Sequence, residues 1–186
     1  MNLPNKLTLG RIIAVPFFIL AYMTEHFLLA LIIFILASLT DMLDGQIARK
    51  KNLITNFGKI MDPLADKVLV YSAFCLMVAD GTMPAWMLII VLAREFIVAG
   101  VRTVAASNGI VIAADTAGKI KTVLQMIAVP MILLYRYTDP LNGPGVMYEL
   151  PGLMWLWGRI ILWASVAMTV YSGVMYIIKN KEVFKG

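Results

Sequence analysis

The sequence has little cysteine, little histidine and little charge. Its 186 residues include one cysteine and one histidine, Cys75 and His26. A lone cysteine cannot form a disulfide within the chain, and the two residues together are too few for the usual zinc ligand sets. Charged residues make up 15% of the chain, whereas a soluble globular domain carries about 25%. Folds that are stabilised by disulfides or by structural zinc are therefore excluded, and an ordinary soluble domain is disfavoured.

Apolar residues dominate what is there. They make up 61% of the chain, with a mean hydropathy of +0.84, against about 45–50% in soluble domains. A chain of this length cannot hide that excess in one core. The composition predicts an all-α integral membrane protein with a single domain over residues 1–186. The net charge of +5 then fits basic residues that face anionic lipid head groups, and we expect no nucleic-acid partner.

Six apolar segments alternate with more polar stretches along the chain. Several apolar runs, such as residues 27–39 with Ser38 as their one polar residue, fall short of the roughly 20 residues that span a bilayer. Each reaches that length only by adding a more polar end, which has to face protein or a wet cavity. We predict six transmembrane helices, near residues 8–24, 27–48, 60–79, 84–106, 116–136 and 154–178.

The basic residues predict the orientation of these helices. With the N-terminus inside the cell, nearly all lysines and arginines fall at inside ends, Arg94 lies mid-segment, and Arg136 and Arg159 lie outside. An even number of spans then puts both termini in the cytoplasm. We expect a short interfacial segment at about residues 1–7 and an outside loop over residues 137–152, which is rich in proline and glycine.

Four aspartates occur at helical spacing on either side of one short connection. Asp41 and Asp44 close the second segment at i and i+3, and Asp62 and Asp66 open the third at i and i+4. A short connection makes the two helices antiparallel neighbours, so the four carboxylates converge near the cytoplasmic interface. Four like charges repel, and oxygen-only ligands favour the hard ions Mg²⁺, Mn²⁺ or Ca²⁺. The pattern predicts a polar metal-binding cavity at the cytoplasmic side, where two bridged metals would suit phosphoryl transfer.

Two small residues accompany the aspartates. Gly45 and Ala48 reduce side-chain bulk on the neighbouring face of the second helix. This allows either close helix packing or close approach of a ligand to the backbone, and the spacing alone does not separate the two.

The spacing of the residues around the aspartates is specific. The sequence fits Asp-x₂-Asp-Gly-x₂-Ala-Arg-x₈-Gly-x₃-Asp-x₃-Asp without a gap or substitution, at Asp41, Asp44, Gly45, Ala48, Arg49, Gly58, Asp62 and Asp66. In this motif the chain resembles the CDP-alcohol phosphotransferases, a family of six-helix membrane enzymes. Residues 2–11, 93–102 and 118–125 resemble the phosphatidylglycerophosphate synthases within that family.

The resemblance implies a role for each motif residue. Two divalent ions, Mg²⁺ or Mn²⁺, would be held, one by Asp41, Asp44 and Asp62 and the other by Asp41, Asp62 and Asp66. Asp66 would also be the general base. The CDP part of the lipid donor would lie against Asp44, Gly45, Ala48, Arg49 and Gly58.

The resemblance also implies a reaction and a location. CDP-diacylglycerol and sn-glycerol 3-phosphate would give phosphatidylglycerol phosphate and CMP. The enzyme would lie in a bacterial-type cytoplasmic membrane among its lipids, with its active site facing the cytoplasm and a homodimer as the assembly.

The phosphate of the acceptor needs cations. Arg94 lies within an apolar stretch, where a charge is costly, and Arg102 follows two turns later. With Lys119 and Lys121 they form the predicted glycerol phosphate pocket, to which Arg11 is a further candidate. Two alternatives stay open: Glu95 neutralises a basic neighbour and holds helices together, and the two lysines are ordinary inside-facing residues.

Two other functions are compatible with the sequence. The same family includes enzymes with other acceptors, namely inositol phosphate, serine or phosphatidylglycerol. The basic residues favour a phosphorylated acceptor over serine but do not separate glycerol phosphate from inositol phosphate. A divalent-cation transporter would also carry intramembrane carboxylates, although here they cluster at one membrane face.

Overall fold

The chain folds into six α-helices in a computed structural model. The structure describes the backbone of residues 3–50, 56–110, 112, 115–138 and 149–181, and their side chains except those of residues 3–6, 41–50, 56–60, 62, 63, 66 and 149–151. The helices are α1 (Leu3–Met23), α2 (Phe27–Lys50), α3 (Asn56–Ala79), α4 (Ala85–Ser107), α5 (Thr116–Thr138) and α6 (Glu149–Lys179). The described part of the chain contains no strand, so the all-α, six-helix prediction is confirmed.

Two helix boundaries differ from the predicted ones. Helix α1 begins at Leu3, so most of the segment expected at residues 1–7 is continuous with it. Helix α6 begins at Glu149, so the loop predicted over residues 137–152 is shorter at both ends. Pro4 and Pro151 lie in the first turns of these helices, where a missing N–H costs nothing because those N–H groups have no acceptor within the helix.

The helices pack around one apolar core. Helix α1 lies against α2 and α3, α5 lies against α2, α3 and α6, and α4 lies against α3 and α6. The core contains Phe18, Phe34, Phe74, Met77 and Ile132, all fully buried. This packing removes apolar surface from contact with the surroundings and sets the positions of the polar side chains.

The outer surface is apolar as well. Phe17, Leu20 and Ile89 are each at least 60% exposed, which is unlike a soluble monomer. Two helices of the described chain are long and apolar enough to span a bilayer, over Thr116–Thr138 and Gly152–Lys179. Together these features indicate a membrane protein, while the orientation with cytoplasmic termini stays a prediction.

The two ends of the bundle differ in chemistry. At one end, which we call the tied end, the Tyr22 hydroxyl donates to Asp80 Oδ2 at 2.6 Å and Arg136 lies 3.5 Å from the same oxygen. The Arg136 guanidinium also lies over the Phe27 ring, 4.8 Å from its centroid. At the other end, the polar end, α1, α3 and α5 begin and α2, α4 and α6 end. The polar end holds the candidate site.

Candidate functional site

A cavity of about 800 Å³ opens among α3, α4, α5 and α6 at the polar end. Its lining combines five basic side chains with two acidic ones. The basic residues are Lys67, Arg94, Arg102, Lys119 and Lys121, and the acidic residues are Glu95 and Asp115. We call this the basic cavity. Its surplus of positive charge favours an anionic ligand over a cationic one.

Glu95 lies at the centre of the charges of the basic cavity. Its Oε1 atom accepts hydrogen bonds from Lys121 Nζ and, at 2.9 Å, from Arg94 Nη1. Its Oε2 atom lies 3.0 Å from Lys67 Nζ. The Glu95 side chain is 9% exposed and that of Lys121 is 5% exposed, whereas Lys67 is 43% exposed. One buried carboxylate therefore joins cations from three helices.

The Arg94 side chain runs through a slot between α5 and α6. Its Nε donates to Ser172 Oγ at 3.1 Å. A Cβ atom at Gly118 would lie 3.0 Å from Arg94 Nη2, and one at Gly173 would lie 3.0 Å from Arg94 Cγ. Because neither position has room for a methyl group without movement of Arg94, the two glycines allow the guanidinium its place.

Arg102 is held by an aromatic partner on α6. Its Nε donates to the Tyr176 hydroxyl at 3.1 Å, and its guanidinium carbon lies 5.7 Å from the centre of the same ring. Tyr176 is buried against Val98 and Val101 in a small apolar cluster. The tyrosine thus fixes Arg102 by a hydrogen bond and a cation–π contact.

The rim of the basic cavity carries a further ion pair. Asp115, just before α5, lies 3.3 Å from Lys179 in the last turn of α6. Lys119 is exposed at the same rim. An exposed pair of this kind contributes little to stability. The exposed Lys119 is accessible from the cavity.

The motif aspartates lie on the helices that reach the polar end. Positions 41 and 44 are in α2 and positions 62 and 66 are in α3, so the predicted i, i+3 and i, i+4 spacings fall on helical backbone. Helices α2 and α3 contact each other, and Asp66 directly precedes Lys67 of the basic cavity. The side chains of these aspartates, and those of Gly45, Ala48, Arg49 and Gly58, lie outside the described part of the structure, so their roles stay predictions.

The described side chains contain no group of three histidine, cysteine, aspartate or glutamate residues that could hold a metal ion. The four motif aspartates are not among these side chains. Their backbone positions on two contacting helices and their oxygen-only donor set fit a hard divalent cation.

The five basic residues predicted for the acceptor do not all meet. Arg94, Arg102, Lys119 and Lys121 line the basic cavity together. Arg11 is buried in a separate crevice between α1 and α2. The residues that line this crevice include Thr40, which directly precedes Asp41 in the sequence. The structure therefore places Arg11 apart from the other four, because α1 packs on α2 and α3 and the cavity is bounded by α3 to α6.

Several residues of the basic cavity were not predicted as site residues. Lys67 was expected only as an inside-facing charge, and Tyr176 and Asp115 had no predicted role. For Glu95 the sequence offered one role, to neutralise a basic neighbour and hold helices together, and its ion pairs with side chains of α3, α4 and α5 agree with that role. Its position beside Arg94 in sequence was a usable signal, but its contacts with Lys67 and Lys121 come from other helices.

Comparisons with known proteins agree with the motif. The family model described as CDP-alcohol phosphatidyltransferase matches residues 1–171. A Bacillus subtilis (strain 168) protein named CDP-diacylglycerol–glycerol-3-phosphate 3-phosphatidyltransferase is 42% identical, over 99% of this chain and 97% of its own length. A Rickettsia felis protein with the same name is 37% identical, over 98% of this chain and 97% of its own length. A Haemophilus influenzae protein with that name is 35% identical, over 100% of this chain and 94% of its own length. The resemblance seen in residues 41–66 is confirmed, and the chain belongs to the CDP-alcohol phosphatidyltransferase family.

Proposed function

We propose that the chain transfers the phosphatidyl group of CDP-diacylglycerol to sn-glycerol 3-phosphate, forming phosphatidylglycerol phosphate and releasing CMP. The names of its full-length relatives support this reaction. The structural observation that carries the proposal is the basic cavity, which lies at the polar end of the bundle and shares α3 with the acidic motif.

The basic cavity is suited to the phosphate of the acceptor. A phosphate monoester carries about two negative charges at neutral pH and three strong acceptor oxygens. Arg94 and Arg102 present guanidinium groups that match phosphate geometry. Each is fixed by a partner on α6, Ser172 or Tyr176. Little conformational freedom is then lost when the acceptor binds.

The acidic motif is suited to the donor. Asp41, Asp44 and Asp62 would hold one divalent ion, and Asp41, Asp62 and Asp66 the other. Gly45, Ala48, Arg49 and Gly58, together with Asp44, would contact the CDP group. When bound, Mg²⁺ or Mn²⁺ neutralises the pyrophosphate and stabilises the departing CMP.

The chemical step is a displacement at phosphorus. The acceptor hydroxyl oxygen attacks the phosphorus that carries diacylglycerol, and the Asp66 carboxylate takes the hydroxyl proton. A new P–O bond forms as the P–O bond to CMP breaks. Positioning of the two substrates supplies much of the acceleration, as in other phosphoryl transfers.

The location of the site follows from its substrates. The donor is a lipid and the acceptor is soluble in water, so they meet at a membrane interface, where the polar end would lie. We propose that this interface is the cytoplasmic one and that the protein is a homodimer. Native mass spectrometry of the detergent-purified chain tests the dimer, which a purely monomeric protein would contradict.

The charge of the basic cavity bears on the alternative functions. A transporter of divalent cations requires a pathway that attracts cations. The five basic side chains that line this cavity would repel them, so the cavity does not support that function. Serine carries no phosphate and would leave the surplus positive charge of the basic cavity without a counter-ion. Inositol phosphate has the same charged group as glycerol phosphate, so an experiment has to separate them.

Product analysis tests the proposed reaction. The purified chain is incubated with CDP-diacylglycerol and sn-glycerol 3-phosphate, and the lipids and nucleotides are quantified by mass spectrometry. We expect phosphatidylglycerol phosphate and CMP in equal amounts. CMP without the lipid product would indicate hydrolysis of the donor and would contradict the transfer.

A further inference from the structure

We propose that Glu95 is a positioning residue for the acceptor phosphate. Its carboxylate holds Lys67, Arg94 and Lys121 so that cations from three helices face one cavity. This inference rests on the proposed function, because it takes the ligand of the basic cavity to be the phosphorylated acceptor.

The geometry distinguishes Glu95 from an ordinary ion-pair partner. Both of its carboxylate oxygens are used, Oε1 by Arg94 and Lys121 and Oε2 by Lys67. These cations come from α3, α4 and α5. Within the described side chains, Glu95 is the one carboxylate paired with any of the three. Among the described carboxylates, Glu95 is therefore the common partner of the three cations, and Ser172 holds Arg94 in addition.

The charges leave a surplus that matches the ligand. One carboxylate among three cations leaves two positive charges in excess, and a phosphate monoester carries about two negative charges at neutral pH. Glu95 thus brings the three cations together without cancelling their attraction for the phosphate.

Removal of the carboxylate would separate the cations. The Lys121 side chain is 5% exposed and lies beside Arg94 in the same network. Without Glu95, a buried cation would face like charges with no counter-ion, a costly arrangement. We expect Lys121 and Lys67 to move apart or to lose their charge, so that the phosphate loses prearranged donors.

The alternative role makes the opposite prediction. If Glu95 only dampened the positive charge of the basic cavity, its removal would strengthen the attraction for an anion and lower the KM for the acceptor. If Glu95 positions the cations, its removal raises that KM. The sign of the change separates the two roles.

The experiment compares Glu95→Gln, Glu95→Asp and the unchanged chain in one detergent. The KM values for sn-glycerol 3-phosphate and for CDP-diacylglycerol are measured separately. We expect Glu95→Gln to raise the acceptor KM at least about tenfold, with the donor KM within about twofold. Glu95→Asp keeps the charge and should restore part of the acceptor affinity.

The matched control is Asp80→Asn at the tied end. Asp80 also pairs with an arginine, Arg136, but it lies outside the basic cavity. This variant should leave the acceptor KM unchanged even if it lowers the melting temperature. A rise in the acceptor KM of the control would show that general loosening of the bundle explains the effect, and would overturn the inference.

A double-variant cycle keeps the inference testable if the Glu95→Gln protein does not fold. The cycle uses the single variant Lys121→Gln and the double variant Glu95→Gln/Lys121→Gln. In the double variant no lysine charge at position 121 is left without its carboxylate partner. If Glu95 acts partly through Lys121, the loss of acceptor affinity in the double variant is much smaller than the sum of the losses in the two single variants. If Glu95→Gln does not fold, Glu95→Asp takes its place as the single variant at position 95. Fully additive losses would overturn the inference.

The outcomes also separate this inference from the proposed function. An unchanged chain whose CMP release does not depend on the acceptor overturns the proposed function, and the inference with it. An active unchanged chain, with an unaltered or lowered acceptor KM in Glu95→Gln, overturns the inference alone.

Discussion

The ammonium group of Lys67 on α3 lies 3.0 Å from the Glu95 carboxylate on α4. Lys67 directly follows Asp66, the proposed general base. The residue that would take the acceptor proton and a residue that would bind the acceptor phosphate are therefore consecutive on one helix. This neighbourhood along α3 connects the basic cavity to the acidic motif, and under the proposed function the acceptor would lie between them.

The slot that holds Arg94 gives a test based on a single methyl group. In Gly173→Ala the new Cβ would lie 3.0 Å from Arg94 Cγ, so the Arg94 side chain has to shift at Cγ, and we expect this to displace the guanidinium. We expect kcat/KM for the acceptor to fall about fivefold or more, equivalent to ~1 kcal/mol. Gly100→Ala on α4, where nothing lies within 4 Å of the new Cβ, is the matched control. Equal values of kcat/KM for the acceptor in the two variants would show that the position of the Arg94 side chain does not affect the reaction.

Replacement of Asp66 separates chemistry from binding. Asp66→Asn keeps the size of the side chain but removes its ability to accept a proton. We expect kcat to fall about 10²- to 10⁴-fold, with the KM for CDP-diacylglycerol changed less than about threefold. Steady-state kinetics of CMP release measure both. A comparable loss in kcat and in donor affinity would instead identify Asp66 as a metal ligand only.

Removal of divalent metal tests the acidic motif. We expect a chelator to abolish CMP release and added Mg²⁺ or Mn²⁺ to restore it in the unchanged chain. In Asp44→Ala, saturating metal should not restore the rate, because one ligand of the proposed site is gone. Turnover that survives either treatment would contradict two-metal assistance.

Cysteine labelling tests the orientation in the membrane. Cys75 is the one cysteine of the sequence and is exposed, so Cys75→Ala gives a background without thiols. Thr24→Cys at the tied end should react with an impermeant maleimide from outside intact cells. Thr116→Cys at the polar end should react only in inverted vesicles. Labelling of both positions from the same side would exclude the proposed topology.

The sequence was sufficient to predict the helices because each has its own apolar segment. The boundaries at Leu3 and Glu149 were missed because Pro4 was assigned to a separate interfacial segment and Pro151 to the outside loop, whereas the first turn of a helix tolerates proline. Four cations of the basic cavity were also predictable, from charges inside or beside apolar helices.

The arrangement of the cavity residues was less predictable. Arg11 carries the same signal as Arg94, and only the packing of α1 on α2 and α3 shows that it lies in another crevice. The link from Glu95 to Lys67 and Lys121 depends on how three helices meet. Spacing along one helix contains no information about such contacts between helices.

The most direct test of the proposed reaction is the rate of CMP release with each acceptor in turn. The purified chain, CDP-diacylglycerol and Mg²⁺ are combined with sn-glycerol 3-phosphate, inositol phosphate, serine or phosphatidylglycerol. We expect CMP release with sn-glycerol 3-phosphate and a kcat/KM at least about 10²-fold lower with each of the others. CMP release that follows inositol phosphate or serine, and not glycerol phosphate, would contradict the proposed function.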